Sequence, residues 1–423
     1  MKAIMKLALK SAWARRLTLA IVLFSIVLST TVLLAVERVR TDARASFTQS
    51  VSGVDLVVGA RTSPVQLMLY SVFHTGNATQ NMGMDSFESL ATHPEVAWAI
   101  PLSLGDSHRG FPVLGTSQVY FSHLRYGLQQ PLVFAQGKPF GGTVDTLFEA
   151  VIGHRVAKEF GYAIGDRITL SHGMEALGPE HADKPFRVVG ILAPTGTPVD
   201  RTVHVSLEAM TAIHLDWVGG APLPGLKIPA EQVRKFDLRP RDITAMLIGL
   251  KSRPAVFKLQ RHINSYRGEP LLAVMPGVAL GELWQTLAMV ENILLVISSL
   301  VVIVGLAGLT ATLMAGLNER RRELAILRAL GAGPRDVFQM LVAEGVTLTM
   351  LGLLLGYALL TVGIAVLAPF VQSQFGVVLL QRFPTDNEWW LMSTILLTGL
   401  SVSLLPGWRA WRISLADGLT PRY

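Results

Sequence analysis

Cysteine is absent from all 423 residues. Disulfides and thiolate metal sites are therefore closed to this chain, and any water-exposed domain must hold together through its own core. A phosphate-cradling loop is missing too, because the pair Gly137-Lys138 is followed by Pro139 and lacks the required glycine and hydroxyl spacing. Neither a G-x-S-x-G elbow nor an H-E-x-x-H pair occurs, which leaves hydrolase chemistry without a motif. No internal period of repeat length runs along the chain. Catalytic residues, cofactor-binding residues and metal ligands are accordingly expected to be none.

What the chain has is apolar length. Leu17–Val36 is uncharged and long enough to cross the ~30 Å of a bilayer core as a helix. A secretory signal peptide is the alternative, with Lys2, Lys6, Lys10, Arg15 and Arg16 as its basic start. The apolar run exceeds a signal core, and the weak cleavage site at Ala43-Arg44-Ala45 lies well past it. Three further uncharged segments follow, Asn292–Asn318, Gly345–Val371 and Trp389–Trp408. The spans are drawn at 17–36, 292–318, 338–371 and 389–408. The expected fold is an α-helical integral membrane protein of four transmembrane helices, with a large α+β domain of two subdomains inserted between the first and second.

Basic residues orient the spans, since Lys and Arg stay on the cytoplasmic side. The segment 1–16, the link 319–337 and the tail 409–423 together hold thirteen basic and four acidic residues, a net of +9 in a chain of +7, so the remainder nets −2. The basic character thus reflects topology, and nucleic acid is not an expected partner. Residues 37–291 and the loop 372–388 are expected outside, which fits a bacterial inner membrane with the large domain in the periplasm.

Past Val36 the charges return, yet Val39, Ala43 and Phe47 continue at four-residue spacing, and Leu280, Leu283 and Leu287 repeat the rhythm before the second span. Two helical stalks are expected there, with a break at the membrane interface as the alternative. Between them Val54–Val58 reads as a strand, Ser63-Pro64 as a helix start, and Val96–Ile100 as a strand closed by Pro101. The best patterned stretch, 149–210, alternates EAVIG, HRVAKEF, GDRITL, FRVVGIL and VHV and reads as a β-rich subdomain, followed by a helix capped by Ser206. ITAMLIGL at Ile243–Leu250 returns as a strand before a helix near Ala255–Ile263.

Few side chains suggest chemistry. His172 and His181 flank a polar loop with Glu175, Glu180 and Asp183. Nine residues of separation fit no standard ligand spacing, so the loop reads as solvated. Glu344, near the start of the third span, is costly unless paired, and an interfacial ion pair with Arg328 or Arg335 is expected.

The segment between the second and third spans carries the strongest pattern: Glu319, Arg320, Arg321, Arg322 and Glu323 in front, Leu324, Ile326, Leu327 and Leu330 as an apolar stripe, Arg328 among them, then Gly331 as a left-handed cap and Pro334 as a helix start. A plain interfacial helix satisfies that composition. The run ERRRELAILRALGA also closely resembles the cytoplasmic loop of FtsX/MacB-like (LolC/E-type) permeases of ABC transporters, in which it docks the ATPase. The outer VIGHRVAKEFGYAIGDRITL and the tail PGWRAWRISLADGL resemble the same family, so the likeness covers nearly the whole chain. It implies a separate ABC ATPase subunit carrying ATP and Mg, a second permease copy in a homodimer, a periplasmic adaptor or substrate-binding protein, and a mechanical cycle that moves the outer domains for a peptide, lipid or lipoprotein cargo. A regulatory scaffold that switches a periplasmic enzyme is the alternative within the family, and a membrane-anchored enzyme the alternative outside it.

Overall fold

The computed structural model describes residues 15–76, 78, 80–173, 179–218, 221–223, 227–319, 332–375 and 379–412. The first apolar segment lies in α1 (Arg16–Gln49), one unbroken helix of 34 residues. At 1.5 Å per residue it is about 50 Å long, well beyond a bilayer core, so it continues outward past Val36 without a break. The described residues divide into two units, one within Met1–Asp42, Ala288–Phe370 and Leu379–Tyr423, the other within Ala43–Leu287 and Val371–Val378.

The outer unit is organised by one mixed sheet. Its main strands are β1 (Leu56–Ala60), β2 (Val96–His108), β3 (Phe111–Thr116), β4 (Phe134–Gly137), β5 (Glu149–Ile152), β6 (Phe186–Leu192), β7 (Val203–Ser206), β8 (Ala245–Leu250) and β9 (Leu271–Val274). Their order across the sheet is β9-β1-β8-β2-β3-β7-β5-β6-β4. Pairing is antiparallel except for β3 with β7 and β5 with β6. The two expected subdomains are therefore two halves of a single sheet, joined where β7 lies beside β3. Neither is a separate body, because strands that bond edge to edge satisfy their backbone groups on each other.

Side-chain alternation explains how the halves are both joined and distinct. On one face Val57, Ile100, Leu102, Leu114, Val151, Val189 and Leu247 belong to one cluster that spans both halves. On the other face the alternate residues form two clusters. Leu56, Val58, Met246 and Ile248 make one, and Val113, Ile152, Val188, Val203 and Val205 the other. Period-two alternation sends neighbouring residues to opposite faces, and each fully buried Val, Leu or Ile contributes about 1.5–3 kcal/mol.

Local signals place the helices. Ser63 accepts from the Gln66 N–H at the start of α2 (Pro64–Ser71), with proline at its first position. α3 (His154–Phe160) ends at Gly161 in the left-handed conformation, φ 70°. Ser206 caps α4 (Leu207–Ile213) by accepting from Ala209, and α5 (Val256–Asn264) packs Leu259 and Ile263 inward.

Pro101 does not close its strand. β2 runs through it to His108, pairing Pro101 with Met246. The Pro101 carbonyl instead faces the β3 side, where it accepts from Thr116 Oγ1. The β3 ladder begins one residue later, at Leu102, so the missing N–H interrupts no ladder bond.

The other three long helices are α6 (Pro276–Glu319), α7 (Pro334–Phe375) and α8 (Asp386–Arg412). With α1 they are long and apolar enough to cross a membrane. In this unit Val22, Ile26, Leu306, Leu309, Leu313, Leu348 and Ile395 pack together. Small residues bring the backbones close: a Cβ at Gly399 would lie 2.6 Å from Thr349 Oγ1, and one at Gly356 2.9 Å from Thr30.

Candidate functional site

The segment singled out for partner docking, Arg320–Gly331, lies outside the described residues, as does the side chain of Glu319. Its frame is described. α7 begins at Pro334, and the Gly333 N–H donates to Asp336 Oδ2 at 2.7 Å, closing its first turn. Leu317, Val337, Leu341 and Ala410 pack together there, so the ends of three helices converge beside the link.

Glu344 is paired, as expected for a carboxylate near the start of a span, and one partner comes from far along the chain. Arg15 Nη2 donates to Glu344 Oε1 at 2.9 Å. Arg15 is 329 residues away and is brought close by packing of α1 in the bundle; Arg328, nearer in sequence, lies outside the described residues.

At the opposite end of this unit charge is buried outright. Arg38 and Glu388 have almost no exposed side-chain surface. Arg38 donates Nε and Nη2 to the two oxygens of Glu388, the second at 2.6 Å, and Nη1 to the carbonyls of Leu380 and Arg382. Glu388 also accepts the Thr385 N–H. Next to it Asp42 accepts from the Leu380 N–H and from Arg382 Nη2. Such bidentate pairing is the geometry that repays taking two ions out of water.

Of the stalk residues, Leu280 is buried in the cluster shared by both sheet halves, beside Ala279 and Trp284, and Ala43 and Leu283 pack against it. Arg44 stacks on the Trp284 ring, 5.3 Å from its centroid. Val39 and Leu287 are exposed, and the Phe47 side chain lies outside the described set.

The histidines are where structure departs most from the sequence reading. His181 is fully buried, while residues 174–178 of the loop between the two histidines lie outside the described residues. The described arms 171–173 and 179–181 pair with each other as a short hairpin against β2: Ser171 and His172 pair with Ser107 and Asp106, the His172 N–H bonds the Pro179 carbonyl, and the His181 N–H bonds the Leu170 carbonyl. That register sets His172 directly opposite Asp106. The turn after α4 brings in His214, and Lys184, bonded to Asp216 at 2.8 Å, ties that turn to the hairpin.

The result is a group of four, Asp106, His172, His181 and His214, whose ligand-type atoms all lie within 4.8 Å of one another. His172 Nδ1 is 3.1 Å from Asp106 Oδ1 and 3.0 Å from His214 Nε2, and His214 Nε2 is 3.4 Å from Asp106 Oδ1. His214 Nδ1 donates to the Met210 carbonyl at 2.8 Å, leaving the Nε2 lone pair facing the group. Trp217 stacks on His181 with centroids 4.1 Å apart. Burial, reinforced by neighbouring cations, pushes His181 down to about 4, so its ring is neutral near pH 7. Desolvation works against the charged form of His214, yet the hydrogen bond and charge of Asp106 outweigh it and raise its pKa. Sequence spacing could not reveal this group, since Asp106 and His214 stand 66 and 42 residues from His172. The neighbours it did suggest play other parts: Glu180 is exposed, Asp183 bonds Lys184, and Glu175 lies outside the described residues.

Two family descriptions match the chain. MacB-like periplasmic core domain covers residues 17–238 and FtsX-like permease C-terminal covers 295–416. The lipoprotein-releasing system transmembrane protein LolC of Xylella fastidiosa (strain 9a5c) is 27% identical over 300 residues, 66% of this chain and 67% of that protein. The macrolide export ATP-binding/permease protein MacB of Azoarcus sp. (strain BH72) is 24% identical over 54% of this chain. The chain spans about two thirds of that LolC and about a third (32%) of that MacB. Among solved structures, the periplasmic region of MacB from Actinobacillus actinomycetemcomitans aligns with 56% of this chain and 94% of its own, at 12% identity and a TM-score of 0.32.

Proposed function

The chain belongs to the family of FtsX-like permeases with a MacB-like periplasmic core domain, and from that membership we propose that this ABC transporter permease couples ATP hydrolysis on a separate subunit to motion of its outer domain. Four helices cross the inner membrane and the domain 37–291 works in the periplasm. Glu319–Gly331 docks the ATPase, with the leucines as anchors and the arginines steering approach. A second copy completes a homodimer, and a periplasmic adaptor or binding protein meets the outer domain. The cargo is a peptide, lipid or lipoprotein handled outside the bilayer core, in keeping with relatives named for lipoprotein release and macrolide export.

The observation that carries this reading is helix continuity. α1 and α6 are each unbroken from their apolar spans to their outer ends. Ala43 and Leu280 at those ends join the cluster shared by both halves of the sheet. A rigid helix fixed in a core transmits displacement where a loop would absorb it.

The test is partner capture. Leu327→Asp is expected to leave expression and membrane insertion intact while abolishing co-purification of the ATPase, because a carboxylate seated in an apolar groove has no compensating partner. Arg321→Ala should retain the ATPase. Wild-type amounts of ATPase on Leu327→Asp permease would overturn the docking assignment.

A further inference from the structure

We propose that Asp106, His172, His181 and His214 hold one Zn2+ ion in the outer domain, as a metal-dependent clasp between the hairpin arms 171–173 and 179–181 and the sheet. Three observations carry this. The first is distance. Four-coordinate zinc with nitrogen and oxygen ligands at ~2.0–2.1 Å has ligand-to-ligand edges of roughly 3.3 Å. The edges among His172 Nδ1, Asp106 Oδ1 and His214 Nε2 are 3.1, 3.0 and 3.4 Å, and His181 offers a ring nitrogen within 4.8 Å of them.

The second is unmet bonding. Among the described residues, both ring nitrogens of the fully buried His181 lack a hydrogen-bond partner, and so does Asp106 Oδ2. Buried polar atoms without partners cost about 1–3 kcal/mol each, and a cation held by one His181 nitrogen and the Asp106 carboxylate, whose ligand atoms lie within 4.8 Å of those of His172 and His214, would supply a partner. The third is orientation: the bond from His214 Nδ1 to the Met210 carbonyl is the outer-shell contact that fixes a ligating tautomer.

The ligand set selects the ion. Three imidazoles and a carboxylate, with no thiolate or thioether, suit Zn2+ better than soft Cu(I) or the all-oxygen ions Mg2+ and Ca2+. Four protein ligands close the coordination sphere, which marks a holding site in place of a hydrolytic one. A cleft lined by Asp106, His172, His214, Trp217 and Arg239 gives the ion an entry path. Because the ligands come from β2, the hairpin and the turn after α4, binding joins three separate stretches, and metal occupancy becomes local order.

The experiment uses the untagged full-length chain in detergent, stripped with a chelator and titrated with Zn2+ alone. Metal retained after desalting is measured by mass spectrometry, and Co2+ replaces Zn2+ for visible spectra. The expected result is one zinc per chain, intense tetrahedral Co2+ bands, and at least a tenfold loss of affinity in His172→Ala and His214→Ala, since even outer-shell changes cost about that much. Both residues are part-exposed, and gel filtration checks that the variants fold. His262→Ala, at an exposed histidine outside the group, should bind as wild type. Equal zinc on wild type and His172→Ala would overturn the proposal. If the variants do not fold, the wild-type Co2+ spectrum decides: weak octahedral bands overturn it, and tetrahedral bands support it.

Discussion

The membrane unit and the outer domain both bury paired charge, at Arg38–Glu388 and at Lys184–Asp216, but the outer domain also buries ionisable rings in a second way. Around Arg38 and Glu388 charge is kept and paired, and every guanidinium nitrogen of Arg38 has an acceptor. In the outer domain His74, His181 and His204 are buried and held neutral by desolvation, at about 4, 4 and 3. His74 meets Thr202 Oγ1 at 2.9 Å, while His204 Nε2 has no partner among the described residues. An arginine cannot shed its proton, so burying one demands a partner. An imidazole can become neutral instead, and a neutral imidazole with a free lone pair is what a metal binds.

The sharpest break of this contrast is removal of one half of the ion pair. Arg38→Met leaves Glu388 buried and unpaired, and a loss of about 3–5 kcal/mol in stability is expected. The double variant Arg38→Met/Glu388→Leu should recover most of it. Thermal unfolding in detergent reads both, and equal losses in the single and double variants would show that the pair does not act as a unit.

Acid should act on the histidines. The unfolded chain takes up protons from about pH 6.5 downward, while folded His74 and His204 do not until about 4 and 3. Their neutral burial thus contributes stability that is present above pH 6.5 and is lost as pH falls, on the order of 2 kcal/mol per residue by pH 5. Denaturant melts followed through outer-domain unfolding at pH 7.5 and 5 measure this, and a flat profile would mean that these rings are not held neutral.

A smaller effect of opposite sign is expected at His181. In chelator-treated protein His181→Leu removes two unpartnered buried nitrogens, so it should be neutral to stabilising by about 1–3 kcal/mol. The same change should erase any stabilisation by zinc. A clear loss of stability in the metal-free state would instead assign His181 to the packing against Trp217. As a reference without buried charge, Ser206→Ala should cost about 1 kcal/mol through loss of its cap on α4, read by the same melts.

Much of the frame was legible in the sequence. Four spans follow from uncharged length, because transfer of a helix into hydrocarbon sums over its own residues and needs no knowledge of its neighbours. The caps at Ser63 and Ser206 and the stop at Gly161 were legible for a similar reason, since each acts within a single turn. Pro101 misled because its effect depends on which side of the strand its missing donor faces, and that is set by the ladders of β8 and β3.

Sequence alone thus determined the class of the molecule and, from the run ERRRELAILRALGA, its family, both properties carried by contiguous residues. Only the tertiary structure decided that Arg15 pairs with Glu344, that the two halves of the outer domain share one core on one face alone, and that His172 lies across from Asp106 with His181 and His214 alongside. Those contacts join residues tens to hundreds of positions apart. They are fixed by strand register and helix packing, where a shift of one residue would turn every side chain to the other face.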